Sequence, residues 1–264
     1  MMQNSHGNFI WYELMSPDPD TSKLFYDAVV GWDIEPRPVG EMDYRMIRRA
    51  DGGNGGGVMR LTDEMRVHGA QPTWLGYLGV DDVDAAIMAV TASGGKMLML
   101  MPAHDLDGVG RFAMLTDPQG CPFYVMKPVP LAATPDLASD VFSPDAVGRV
   151  GWNELATPDQ DAALHFYARL FGIVEGGRMP MGEMGDYIFL KHHDVPVGAV
   201  MRQQPGQPAG WMFVFRVPSV AASARAISDG GGTIVRTPHQ VPNDDWLVIA
   251  TDPHGVRFAT VGAQ

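Results

Sequence analysis

Hydrophobic and polar positions along this chain fall into one pattern that is run through four times. Residues 9–15 alternate loosely, the period of a strand, so Trp11 and Glu13 are expected on one face. Ser16-Pro17-Asp18 then breaks the strand and offers a helix cap. Leu24, Phe25, Ala28 and Val29 form a one-sided helical stripe, and Gly31 supplies a left-handed stop. A short strand is expected between Trp32 and Pro38. Residues 44–47 and 58–61 read as strands around a glycine-rich hairpin tip at 51–57. A second module opens with a strand at 74–80, capped by Asp81-Asp82. Val83, Ile87 and Val90 give its helix face, closed by Gly94-Gly95. Strands at 96–101 and 111–115, a type I turn at Asp117-Pro118-Gln119-Gly120 and a last strand at 123–126 complete it.

Both modules then recur. Trp11, Glu13, Pro17-Asp18, Phe25-Tyr26 and Gly31 reappear 141 residues later as Trp152, Glu154, Pro158-Asp159, Phe166-Tyr167 and Gly172. Residues 211–217 match 74–80, Asp252-Pro253-His254-Gly255 repeats the turn, and 258–261 is the closing strand. A proline-rich stretch at 128–147 without periodicity reads as a linker between repeats at 8–127 and 148–262. The chain therefore holds four βαβββ units. Each leaves a sheet face to be covered by another, so units are expected to pair.

Composition narrows the partners. The 264 residues carry 19 basic against 31 acidic side chains, a formal charge of −12 that argues against nucleic acid and anionic membranes as partners. Cys121 is alone, which excludes an intrachain disulfide and fits a cytoplasmic location. The first residues do not read as a signal peptide, and no apolar run approaches the roughly 20 residues that span a bilayer. A monomer or homodimer is expected. There is no G-x-S-x-G elbow, and the glycines at 52–57 lack the Lys-Ser/Thr of a phosphate loop.

The repeated strand, Pro-Asp, helix, Phe-Tyr and Gly order, together with the Asp-Pro-x-Gly turns, resembles the vicinal oxygen chelate superfamily of glyoxalases, bleomycin-resistance proteins and extradiol dioxygenases. The resemblance implies an α+β fold of two tandem domains, each a pair of βαβββ units forming a curved, barrel-like mixed sheet with helices outside. Family enzymes hold a divalent metal with His, Gln or Glu on the first and last strands of their units. Here the matching positions fall at Trp11 and Trp152, near Leu75 and Met212, and at Tyr124 and Ala259. None of these grasps a hard cation, so the expected protein binds a partly apolar small molecule in concave sheet pockets with no cofactor. Two alternatives stay open. One is a metal-dependent lyase or dioxygenase with non-standard ligands; the other is a metal-free enzyme using Glu13 or Glu154 as general base.

Glu13 and Glu154 are thus the candidate catalytic groups, unless each only bonds amides of the turn at Pro17 or Pro158. Trp11, Trp152, Trp74, Trp211 and Tyr124 are candidates to stack on a ligand, or else core. His104 and His239, in loops after the third strand of their units, are candidates for a pocket rim. His192-His193-Asp194 is expected on a surface loop, His254 in a solvated turn and His165 on a helix, at the surface or the core edge.

Overall fold

Local chemistry starts each helix where the sequence places it. The computed structural model describes residues 4–38, 42–98, 102–130 and 137–264. The first module comprises β1 (Phe9–Ser16), α1 (Pro19–Val30), β2 (Asp33–Ile34), β3 (Tyr44–Arg48) and β4 (Asn54–Arg60), followed by a short α2 (Asp63–Val67). The second is β5 (Thr73–Gly79), α3 (Val83–Ala92), β6 (Lys96–Met97), β7 (His104–Leu106), β8 (Gly110–Thr116) and β9 (Pro122–Pro128). The third is β10 (Val150–Thr157), α4 (Gln160–Phe171), β11 (Ile173–Pro180), β12 (Asp186–His192) and β13 (Val195–Arg202). The fourth is β14 (Gly210–Ser219), α5 (Val220–Asp229), β15 (Thr233–Gln240), β16 (Trp246–Thr251) and β17 (Arg257–Ala263). Side chains of Asp18, Asp82, Asp159 and Ser219 accept the first amides of α1, α3, α4 and α5. Gly31 and Gly172, at φ 84° and 66°, end α1 and α4.

Hydrogen bonding orders the strands as β2-β3-β4-β1-β5-β9-β8-β6, with β7 on β8, and as β11-β12-β13-β10-β14-β17-β16-β15. The central pairs β1–β4, β5–β9, β10–β13 and β14–β17 are parallel, and the outer pairs are antiparallel. These are curved mixed sheets; neither closes into a barrel among the described residues.

One crossing sets the parallel pairing tightly. A Cβ on Gly198 would collide with the carbonyl oxygen of Asn153, and one on Gly56 with that of Tyr12. Counted from β1 and β10 the repeat offset is 141, but β4 and β13 are offset by 142, and the register Leu14↔Val58 and Leu155↔Val200 survives that one-residue insertion.

Packing divides the chain into two compact units that each draw on both halves. One combines residues 1–11, 75–139 and 153–211; the other combines 12–74, 140–152 and 212–264. In the first, β9 turns Phe123 onto Phe166, Tyr167 and Phe171 of α4. At its centre Tyr167 donates to Asp117 Oδ2 (3.3 Å) and accepts from Trp211 Nε1 (3.1 Å). The other unit repeats this: Tyr26 donates to Asp252 Oδ2 (3.1 Å) and accepts from Trp74 Nε1 (2.9 Å). Burial, and then the aspartate charge beside them, raises both tyrosine pKa values well above the usual range. Burial likewise raises Asp117 and Asp252, although each accepts two backbone amides of its own turn. Cys121, next to Asp117, is pushed up to about 12, chiefly by burial.

The stretch read as a linker is partly fastened. Trp32 Nε1 donates to Gly148 O (2.7 Å), and the buried Arg49 bridges Asp51 and Asp140, which Arg149 also joins. Hydrogen bonds from Arg49, above all, pull Asp51 down to about 2. Residues 131–136 of that stretch, and 99–101 of the strand expected at 96–101, lie outside the described residues; within them β6 is only Lys96–Met97.

Two local expectations are corrected. The glycines at 55–57 are not a hairpin tip: β4 begins at Asn54, because the strand crossing needs side-chain-free positions there. His192 is not on a surface loop but is 5% exposed at the end of β12, its Nδ1 2.7 Å from Asn8 Oδ1. Only His193, at φ 52°, and Asp194 form the turn.

Candidate functional site

Strand phase decides which side chains face the helices and which face away. Ser16 bonds Ser22 of α1 (2.7 Å), and Tyr12 packs on Phe213, so Tyr12, Leu14 and Ser16 form the helix side of β1. Trp11, Glu13 and Met15 therefore lie on the face turned away from the helices, and the first two share one face as expected. The same phase argument places Leu75, Tyr77 and Tyr124 of the first sheet, and Met212 and Ala259 of the second, on the face of their own sheet turned away from the helices, because Trp74, Phe123, Trp211, Phe213 and Phe258 are committed to the helix side.

Trp74 and Trp211 take the core alternative rather than the stacking one. Each donates its indole N–H to a buried tyrosine on the helix side, which removes it from the face turned away from the helices. Trp11 and Trp152 stay half-buried on that face. Trp152 packs against Met212, Val214, Ile249, Ala259 and Val261, an apolar cluster that Leu247 and Val241 extend.

The two glutamates are not equivalent. Glu13 is 2% exposed and stands in register with Gly57, over which the hydroxyl of Tyr44 lies. Glu154 is half-buried, and its Oε2 accepts from the Tyr187 hydroxyl at 2.9 Å, while Tyr187 packs edge-on against Phe189. The turn amides at Pro158 are not what it bonds in this contact. Tyr187 is a site residue that the sequence does not mark: Tyr187-Ile188-Phe189-Leu190 is an unbroken apolar run, and only the structure separates half-buried Tyr187 and Phe189 from buried Ile188 and Leu190.

On the second module's face turned away from the helices, the buried Tyr124 stacks on the buried Tyr77 with centroids 4.1 Å apart and 13° between planes. Phe112 lies 6.2 Å from each of them. His104, opposite Phe112 in the β7–β8 register, meets that ring at 4.2 Å. Its Nδ1 is 2.9 Å from Pro102 O. In the fourth module His239 stands opposite Leu247, its Nδ1 3.0 Å from Thr237 O. A carbonyl can only accept, so Nδ1 carries the hydrogen in both rings, and Nε2 is the acceptor of each neutral imidazole. His104 and His239 are therefore paired by the repeat in position and in tautomer. His254 is half-buried in its turn rather than solvated, and His165 is exposed on α4.

The described residues contain no group of three or more His, Cys, Asp or Glu placed to hold a metal. More to the point, the strand positions that the resemblance assigns to metal donors are filled: Leu75 and Tyr124 are 0% exposed, Ala259 is 0% and Met212 5%. Aliphatic, thioether and phenol groups at these positions do not fit a hard or borderline cation, which needs imidazole or carboxylate donors converging on a point. No helix is long and apolar enough to cross a membrane among the described residues.

Repeated βαβββ modules, with helices on one side of curved mixed sheets, define an α+β fold of the glyoxalase type. The chain belongs to the glyoxalase/bleomycin resistance/dioxygenase group, the vicinal oxygen chelate superfamily. The family model described as Glyoxalase/Bleomycin resistance protein/Dioxygenase superfamily matches residues 149–260, and a Glyoxalase-like domain model matches residues 12–126. CFP32 of Mycobacterium tuberculosis, provisionally designated a glyoxylase, is 30% identical over 256 residues, covering 95% of this chain and 93% of that protein. The anthracycline biosynthesis protein DnrV of Streptomyces peucetius is 26% identical, covering 95% and 91%. Among solved structures, the Mn(II)-bound glyoxalase of Novosphingobium aromaticivorans superposes with a TM-score of 0.64 at 17% identity, covering 97% and 82%. The 2,3-dioxygenase LapB of Pseudomonas sp. KL28 gives 0.65 at 13%, covering 99% and 94%. At those identities the likeness is one of fold.

Proposed function

We propose that the protein binds a small, partly apolar molecule in concave sheet pockets, on the faces turned away from the helices, in two glyoxalase-like domains at 8–127 and 148–262, without the metal that serves the family's enzymes. The observation carrying this reading is chemical: buried Leu75, Tyr124, Met212 and Ala259 stand where metal donors would. Trp11, Trp152, Tyr124, His104 and His239 remain the proposed binding groups. A relative named for anthracycline biosynthesis accords with small-molecule chemistry.

A metal-free acid–base enzyme is the second reading, and the Glu154–Tyr187 contact favours it. A half-buried carboxylate already accepting a phenol proton at 2.9 Å is poised to exchange protons with a bound molecule. Glu13, set beside Gly57, is its counterpart in the repeat.

A thermal-shift screen of small metabolites tests the binding reading. A true ligand at one hundred times its Kd stabilises the fold by about 2.7 kcal/mol and raises Tm in a concentration-dependent way. Hits are expected among compact molecules with an apolar body. If no compound in a broad panel of apolar and aromatic metabolites shifts Tm, the binding reading fails.

A further inference from the structure

We infer that residues 4–8, just before β1, form a pH-sensitive strap: the buried imidazole of His192 pins it at neutral pH and lets it go when charged. The strap is fastened at several points. The Gly7 amide donates to Gly79 O and the Gly79 amide to Asn8 O, both at 2.8 Å. His6 stacks on Phe171, and its Nε2 lies 2.8 Å from Leu170 O. Gly7, at φ 89°, passes so near the end of α4 that a Cβ there would collide with the carbonyl oxygen of Phe171 and lie 3.0 Å from His192 Nε2. His192 closes the arrangement. Its Nδ1 is 2.7 Å from Asn8 Oδ1, and its ring also hydrogen-bonds the backbone of His6.

The repeat supplies the contrast. Gly148, at φ 79°, and Arg149 match Gly7 and Asn8 and make the same pair of backbone bonds, to Arg216. Strand register carries Tyr44 and Met59 onto Tyr187 and Met201, and with them Arg49 onto His192. Buried Arg49 sits 3.6 Å from where a Gly148 Cβ would stand and is ion-paired with Asp51 and Asp140. A guanidinium keeps its charge at any pH near neutral, whereas an imidazole does not. Burial chiefly, then the imidazole of His193 on the following turn, lowers the His192 pKa; the bond to the His6 backbone offsets part of this, and the His6 imidazole adds to it. The α4 end beside the ring, Phe171 and Gly172, is uncharged. The Asn8 amide can serve either form of the ring, turning its oxygen or its N–H to Nδ1. Once released, His192 titrates near the ordinary value of 6.5, so release takes up a proton. The closed state therefore loses stability as pH falls from 6.5 towards the lowered value. Charging His6 acts the other way, since Asp81 lies 3.8 Å from its Nδ1 and the carbonyl end of α4 favours a cation. Release uncovers the buried Phe171 and a cavity of about 240 Å³ that His6 lines with Ala86, Val90 and Leu170.

Amide hydrogen exchange of the intact protein, followed by NMR between about pH 5 and 8 and corrected for the intrinsic rate, tests this. The Gly7 and Gly79 amides should lose up to about tenfold in protection per pH unit below about 6.5, the slope of one proton. The matching Gly148 and Arg216 amides should stay level, since Arg49 does not titrate and its partners Asp51 and Asp140 are held below the usual carboxylate range. His192→Gln, which takes no charge, should flatten the Gly7 profile, whereas His6→Gln should leave it sloping. Circular dichroism establishes that each variant is folded. Should His192→Gln fail to fold, titration of the His192 ring in the parent protein decides: a value below 6.5 supports the strap, and one at or above 6.5 overturns it. Equal slopes at Gly7 and Gly148, a slope that survives in His192→Gln, or one lost only in His6→Gln would overturn it as well.

Discussion

Gly198→Ala should destabilise the protein by about 3 kcal/mol or more, because its Cβ would meet the Asn153 carbonyl oxygen where β13 runs beside β10. Backbone cannot yield as a flexible side chain can, so the parallel pair must part and lose hydrogen bonds that seat Glu154 and Leu155 opposite Ala199 and Val200. Gly151→Ala, in the same β10 strand, is the control. A Cβ there has its nearest neighbours at 3.6 Å, so the substitution should be close to neutral. Urea denaturation of the two variants separates a steric clash at the β10–β13 crossing from a general intolerance of side chains at glycines in this strand pair. Equal midpoints for Gly198→Ala and the parent would show that the crossing is looser than described.

Tyr26→Phe should cost about 2–4 kcal/mol. The ring and its edge-on contacts with Phe25, Trp74 and Phe258 are kept, so the loss reads the hydroxyl alone. That hydroxyl serves two buried groups at once, accepting from Trp74 Nε1 and donating to Asp252, and each orphaned partner costs roughly 1–3 kcal/mol. Tyr167→Phe should behave alike through Trp211 and Asp117. Combining Tyr26→Phe with Trp74→Phe should cost less than the sum of the two, since the second change removes a donor the first has already orphaned. Additive losses in chemical denaturation would mean that the hydroxyl and indole act separately.

These triads explain where sequence reasoning stopped. Trp11 and Glu13 announce a strand and its phase. The helix stripe read as Leu24, Phe25, Ala28 and Val29 is rotated in the structure: Leu24 and Ala28 are exposed, and Ser22, Phe25, Tyr26, Val29 and Val30 face inward, because Tyr26 is drawn to Trp74 and Asp252. Period-two alternation says that Trp74 and Leu75 face opposite ways, but it does not say which way the helices lie. That follows from Tyr26 and Asp252, which are 226 residues apart. The same distance problem hid Tyr187, whose partner Glu154 lies on β10, two strands away in the sheet order β12-β13-β10. His192 was misjudged because its neighbours His193 and Asp194 are turn residues; its own burial depends on Asn8, 184 positions earlier. Cap residues, glycine stops and the Asp-Pro-x-Gly turns were legible because their chemistry is completed within four residues.

The central claim is that apolar and aromatic side chains have replaced the cation-binding donors of the family's sheet faces. Elemental analysis of protein purified without chelator, after growth in metal-replete medium, tests it most directly. The account predicts manganese, iron, nickel and zinc each far below one equivalent per chain. One equivalent of any of them, retained through dialysis, would contradict it.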